Sequence, residues 1–271
     1  MAGKTGVKIP KDLPVRSVSD VLKNRSFVFY GRSGTGKTTV AGTFPGPVLL
    51  LDMDDKGTDS ISDLGDHVKV MDVEDWDDLE MTYWWLKKNP GNYGTIVIDT
   101  ITGAQDMALK KVLEGTDKDP DKAGEWGVMT KRQWGQAASL MKSWITNIRS
   151  LTDDGVEVVF NAQERIFNSE DEADPEEQLA PEVGARLMPS VRDHLNASVH
   201  VIGNTFIREK IIKKKVEGRR KPQEVAKTQY CLRIGPHPIY DTKVRKPKRV
   251  KVPPVIVDPS YDDILSFIQG E

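Results

Sequence analysis

Four apolar runs recur along the first two thirds of the chain, and each ends in glycine or a polar residue. Ser26–Tyr30 runs into Gly31, Val48–Leu51 into Asp52, Thr95–Ile98 into Asp99, and Val156–Ala162 into Gln163. Val48–Leu51 is continuously apolar rather than alternating, which predicts a strand of a sheet covered on both faces, and the other three runs also predict strands. Val68–Met71 predicts a further short strand. Between the runs the spacing turns helical. Asp75–Lys88 carries Trp76, Leu79, Tyr83 and Leu86 near helical spacing, with Asp75 or Asp77 as cap. Its other aromatics, Trp84 and Trp85, are assigned to the core. Ile101–Leu113 predicts a helix. So does Thr130–Leu151, with Trp134, Leu140, Met141, Trp144, Ile145 and Ile148 on its buried side.

Breakers separate these elements: Pro45-Gly46-Pro47, Asn89-Pro90-Gly91-Asn92 and Asp153-Asp154-Gly155. Glu114–Val128 is an irregular excursion, and the acidic, proline-interrupted stretch Ile166–Glu182 predicts a loop or disordered segment. Val183–Leu195 predicts a short helix and Ala197–Ile202 a strand. From Phe206 the pattern is strand-like with basic turns: Ile207–Val216, a turn at Gly218–Lys221, then Thr228–Ile234. Pro253-Pro254 leads into Val255–Val257, and Tyr261–Gln269 closes as a small helix. There is no internal repeat. The pattern predicts an α/β fold divided as an N-terminal arm or edge-packing strap (1–25), a core (26–204), and a basic β-rich continuation of the same domain with a C-terminal helix (205–271).

Composition narrows the function classes. Of 271 residues, 38% are hydrophobic and 30% charged, which supports a core beneath a polar surface. The single cysteine, Cys231, precludes an intrachain disulfide framework and fits a reducing compartment. No apolar run approaches the ~18 residues of a membrane span, and Met1–Gly6 lacks the apolar core of a signal peptide. A cytoplasmic protein with no membrane partner is expected. The net charge is −2, yet Thr205–Lys251 holds sixteen Lys or Arg against four acids, a net of +12 that leaves −14 for the rest. Such asymmetry points to a polyanion partner; the alternative is a solvated basic face.

The most specific signal is Gly31-Arg32-Ser33-Gly34-Thr35-Gly36-Lys37-Thr38, followed by Thr39. It matches the phosphate-binding loop of nucleoside triphosphatases, and it lies where that loop must lie, between a strand and a helix. Its glycines let successive backbone N–H groups face one anion, and the following helix start favours negative charge. Lys37 would reach the β- and γ-phosphates of ATP, and the Thr38 hydroxyl would ligate Mg²⁺. Asp99, at the end of an apolar strand, supplies the carboxylate that holds the metal through water. Gln163, at the end of the next strand, can sense the γ-phosphate or make a simple turn hydrogen bond.

In this order the four strand–helix units resemble the RecA-like ATPase core. More narrowly, the chain looks like compact phage-encoded RecA-like proteins, the core-only recombinases associated with single-strand annealing. The resemblance spans about Phe27–Ile268. It implies a mostly parallel central sheet, with Asp54 as the catalytic acid that polarises water. Glutamate is usual there, so Asp52 or Asp55 could serve instead. It implies Asp99 on the Mg²⁺ side, Gln163 as γ-phosphate sensor, and Lys243 and Arg245 as a cationic pair inserted into a neighbouring subunit's site. It further implies contacts to single-stranded DNA from the region of Trp126, Lys131, Arg132 and Trp134. The second DNA loop of such proteins corresponds to the acidic Ser169–Glu177 here. That departure shifts the expected DNA affinity to a basic hairpin with Lys213, Lys214, Lys215, Arg219 and Arg220. The implied function is a DNA-stimulated ATPase of phage recombination, assembled as an oligomer or filament in the host cytoplasm, with a phage annealing or single-strand-binding protein as a further partner. The rival reading is a nucleotide-dependent loader or clamp whose basic face docks a protein.

Overall fold

Alternate residues of each apolar run face opposite sides of one sheet, and both sides are covered. The computed structural model describes residues 24–53, 57–115, 129–167, 181–214 and 223–270. In chain order the elements are β1 (Ser26–Gly31), α1 (Lys37–Gly42), β2 (Val48–Asp52), β3 (Val68–Asp72), α2 (Trp76–Lys88), β4 (Thr95–Asp99), α3 (Ile101–Glu114), α4 (Lys131–Ser150), β5 (Glu157–Phe167), β6 (Glu182–Ala185), α5 (Pro189–Ser198), β7 (Val201–Lys214), β8 (Gln223–Arg233), β9 (Lys243–Val244), β10 (Val255–Val257) and α6 (Tyr261–Gln269). The sheet order is β10-β8-β7-β1-β5-β4-β2-β3, with β6 attached to β5 and β9 to β7. From β7 to β3 every neighbour is parallel. The strands added later, β6, β8, β9 and β10, pair antiparallel.

On one face Val28, Tyr30, Leu49, Leu51, Ile96, Ile98, Val158 and Phe160 pack under α2, α3, α4 and α5. On the other, Phe27, Phe29, Leu50, Val97 and Val159 meet Val40 and Ala41 of α1 and Ile264 and Ile268 of α6. Burial on both faces explains why Val48–Leu51 is continuously apolar. Leu232, Ile234 and Ile256 join this second core, so the basic C-terminal third extends the same sheet. Among the described residues, no helix is long and apolar enough to cross a membrane.

Caps set the helix starts. Asp75 accepts from the N–H groups of Asp77 and Asp78, Thr100 accepts from Gly103, and Thr130 forms a capping box with Gln133.

Several local expectations need correction. Glu182–Ala185 is a strand on the end of β5, and the helix begins only at Pro189, where a missing N–H costs nothing. The strands expected at Ala197–Ile202 and Ile207–Val216 are one, β7, because β1 and β8 pair with its successive halves. A 3₁₀ segment, Gly57–His67, and the two-residue β9 have no periodic signature. Trp84 is 57% exposed, and Trp85 is exposed too. They follow buried Tyr83 by one and two positions, about 100° and 200° around the helix, off the stripe of Trp76, Leu79, Tyr83 and Leu86. Trp134, one position beyond buried Gln133, is 44% exposed for the same reason. The arm through residue 23, most of the 114–128 excursion, the acidic stretch 168–180 and the turn at 218–221 lie outside the described residues.

Candidate functional site

The loop from β1 to α1 has the shape that its glycines permit. Gly34 and Gly36 hold φ of 76° and 90°, a region that side chains disfavour. A Cβ at Gly31 would collide with Thr205 of β7. Thr35 Oγ1 donates to the Arg32 carbonyl at 2.8 Å and shares a 2.7 Å hydrogen bond with Thr205 Oγ1, which ties the loop to β7. Gly36 caps α1 without a side chain, so it leaves the first-turn N–H groups uncapped. Lys37 is 7% exposed. Its Nζ donates to the carbonyls of Gly31 at 3.1 Å and Arg32 at 2.9 Å. Burial pushes the Lys37 pKa down, while Asp99 and Glu164 oppose the fall. Arg32 turns outward and pairs with Glu164 at 3.0 Å.

Sheet register assembles the other half. Asp52 of β2 pairs with Asp99 of β4, and Asp99 with Asn161 of β5. These side chains therefore form a row, at the carboxyl ends of β2 and β4 and level with them along β5. Thr38 Oγ1 donates to Asp99 Oδ2 at 2.6 Å. Burial raises the Asp99 pKa; the Thr38 hydroxyl, the neighbouring Asn161 amide and Lys37 pull it back, and Asp52 adds to the rise. Although close enough to influence Asp99, the Asn161 amide makes no hydrogen bond of ordinary geometry among the described residues. Asp52 Oδ2 is likewise buried without a hydrogen-bond partner among them. Gln163 stands opposite Gly31 in register. Its N–H donates to Thr102 Oγ1 at 3.2 Å, and its carbonyl accepts from the Arg186 N–H at 2.7 Å.

Together these groups line a cleft of about 370 Å³ that includes Ser33, Gly34, Gly36, Lys37, Thr38, Thr39, Asp52, Asp99, Gln163 and Tyr230. Gly31, Arg32 and Thr35 shape the loop from outside that lining. The donor set fits a phosphate-bound Mg²⁺. One hydroxyl and one or two carboxylates suit a cation that keeps its remaining ligands as water and phosphate oxygen. Among the described residues no group of three or more His, Cys, Asp or Glu could hold a metal. When bound, Mg²⁺ would neutralise charge on the phosphate oxygens, held by Thr38 and Asp99.

The remaining expected residues divide three ways. Asp54 and Asp55, Trp126, and Lys215, Arg219 and Arg220 lie outside the described residues. Among the described residues, the carboxylate in the cleft beside Asp99 is Asp52. Lys131 and Arg132 are exposed in the first turn of α4 next to Trp134, and Lys213 and Lys214 end β7 in register with Glu224 and Gln223. Lys243 and Arg245 lie at the opposite, amino ends of the strands, where Val244 pairs with Val201. Lys243 Nζ donates to the carbonyls of Asn196 at 2.5 Å and Ala197 at 3.1 Å, and Arg245 to Ala197 at 2.6 Å. Within the chain the pair thus satisfies the last carbonyls of α5. Sequence reasoning missed Asn161 and Tyr230. The first could have been found from strand register; the second has no local signal.

Comparison with known proteins agrees with this geometry. The AAA domain family matches residues 23–245. No curated protein matches the chain. Similar solved structures include a KaiC-like protein from the hyperthermophilic archaeon Pyrococcus horikoshii, 14% identical, with 87% of this chain and 90% of that chain covered at a TM-score of 0.40. Another is the P4 protein from bacteriophage phi6 in complex with ADP, 13% identical, with 73% of this chain and 59% of that chain covered at a TM-score of 0.30. The family match takes in the phosphate loop, Asp99 and Gln163, and with its mostly parallel α/β sheet the chain belongs to the AAA domain family of P-loop ATPases.

Proposed function

We propose that this protein hydrolyses ATP in the Thr38–Asp99 cleft and binds single-stranded DNA on the adjoining basic ribbon, acting in phage recombination by strand annealing. The observation that carries the DNA reading is the direction of β7. It runs parallel to β1, pairs with it as far as Tyr30↔Asn204, and continues to Lys214 with only β8 beside it among the described residues. The nine residues from Phe206 to Lys214 extend about 30 Å past the phosphate loop on the catalytic side. Arg208, Lys210 and Lys227 share one face of that ribbon and are exposed, a row of cations suited to tracking the phosphates of a single strand.

Within the cleft each side chain has a defined task. Lys37 exchanges the carbonyls of Gly31 and Arg32 for phosphate oxygens, a charge-assisted contact that neutral carbonyls cannot match. Thr38 and Asp99 hold the metal side. Asp52, whose Oδ2 is buried without a hydrogen-bond partner among the described residues, accepts the proton of the attacking water. Gln163 offers a neutral amide near the terminal phosphate. A head-to-tail assembly would bring Lys243 and Arg245, at the amino ends of one subunit's strands, over the carboxyl-end cleft of the next.

The test is ATP turnover with and without single-stranded DNA, with Lys37→Ala as control. Stimulation by DNA in wild type and loss of turnover in Lys37→Ala are expected. Turnover indifferent to DNA would favour the loader or clamp reading, in which the same basic face docks a protein.

A further inference from the structure

Tyr230 lines the nucleotide cleft, yet none of the phosphate-handling groups needs it. It lies on β8, 46% exposed, almost two hundred positions beyond the loop. Its ring packs on the loop backbone: a Cβ built at Gly36 would stand 3.4 Å from Tyr230 Cδ1. The strand beneath the ring is pinned. Val257 of β10 pairs with Cys231, and the Asp258 N–H donates to the Tyr230 carbonyl at 2.7 Å. One edge of the ring is therefore set against the loop while much of its surface stays open.

A nucleoside triphosphate laid on this loop places its phosphates on the N–H groups around Gly34–Thr38 and leaves ribose and base to be accommodated in the rest of the cleft. Most of the other side chains there are small or charged: Ser33, Thr39, Ser60 and the two aspartates. Tyr230 alone among the described lining residues offers an aromatic face. We propose that Tyr230 is the stacking platform for the nucleobase. This rests on the reading of the cleft as a nucleotide site. Because every base has a π face, such a platform favours a nucleotide over a bare polyphosphate and does little to choose between bases.

The experiment is calorimetric binding of ATP and of inorganic tripolyphosphate to the full chain, in wild type, Tyr230→Ala and Tyr230→Phe. Tyr230→Ala is expected to weaken ATP binding about tenfold, the scale of one lost stacking contact. Tyr230→Phe should stay within about twofold of wild type, and tripolyphosphate should bind all three alike. That unchanged tripolyphosphate affinity also shows that the variant loop is folded. Unaltered ATP affinity in Tyr230→Ala overturns the proposal. So does an equal loss for both ligands, which would make Tyr230 a support for the loop at Gly36. So does a loss confined to single-stranded DNA binding, which would assign the ring to the ribbon. If wild type binds neither ligand better than Lys37→Ala does, the nucleotide reading itself fails and this one with it.

Discussion

Thr38 Oγ1 and Asp99 Oδ2, sixty-one positions apart in the chain, are joined by a 2.6 Å hydrogen bond. The bond links the first turn of α1 to the end of β4 and holds in one place the two groups proposed for the metal side. It also favours the ionised form of a carboxyl whose burial works the other way. Thr38→Val keeps the shape and removes the hydroxyl. We expect it to raise the Mg²⁺ concentration needed for half-maximal hydrolysis by about 10–100-fold, with Thr38→Ser near wild type. A Mg²⁺ titration of ATP turnover decides, and an unchanged midpoint in Thr38→Val would remove Thr38 from the metal side.

Asp52 is expected to be the acid that handles the attacking water. Asp52→Asn should bind nucleotide within about twofold of wild type and hydrolyse it at least about 100-fold more slowly, the usual weight of a general base. Asp54→Asn is the paired control. If Asp54→Asn stops turnover while Asp52→Asn does not, the catalytic role belongs to Asp54 and Asp52 serves the sheet end.

For the ribbon, neutralising Lys213, Lys214, Lys215, Arg219 and Arg220 together should weaken binding of single-stranded DNA and flatten its salt dependence. Losing five phosphate contacts would reduce the slope of log affinity against log salt by up to about 3.5. A slope identical to wild type would move the DNA site to the first turn of α4, with Lys131, Arg132 and Trp134.

Lys243 and Arg245 should act in two settings. Their bonds to the end of α5 predict that Lys243→Ala/Arg245→Ala lowers the thermal midpoint by a few degrees. If they also serve a neighbouring subunit, mixing that variant with Lys37→Ala should restore part of the ATP turnover that each lacks alone. A mixture that co-assembles and stays inactive leaves the pair with its helix-end role only.

His200 makes stability depend on pH. Its Nδ1 accepts from the Ser26 N–H at 3.1 Å, so the ring is held neutral. Burial, followed by Arg245, Arg149, Arg25 and Lys243, pushes its pKa down to about 4 from 6.5. The unfolded chain therefore takes up this proton first, and stability should fall as pH drops from about 6.5 to about 4. Raised carboxyls at Asp99, Glu157 and Asp241 act in the opposite sense. The informative quantity is thus the difference from His200→Asn, whose urea midpoint should lose less between pH 7 and pH 5. Parallel losses in the two proteins would show that His200 does not set the slope.

The sequence by itself determined the local parts. Apolar runs reported strands, and the glycines with Lys37 and Thr38 reported an anion-binding turn, because each property depends on neighbours within a few positions. Asp99 was legible for the same reason, as the polar end of one such run. Tertiary structure decided everything that needs a partner strand. With β5 inserted between β1 and β4, register sets Asp52, Asp99 and Asn161 side by side. The same long-range pairing folds β8 back along β7 and lays Tyr230 on Gly36. Helical spacing identified the buried stripe of α2. Whether Trp84 and Trp85 were covered depended on what packs beyond it, and among the described residues they remain exposed. From sequence Lys243 and Arg245 read as a cationic pair for a neighbouring subunit's site; only the fold brought the end of α5 to them. Local pattern records how each segment meets an apolar or polar environment; which segment supplies that environment is set by contacts that close loops of tens to hundreds of residues, and those leave no periodic trace.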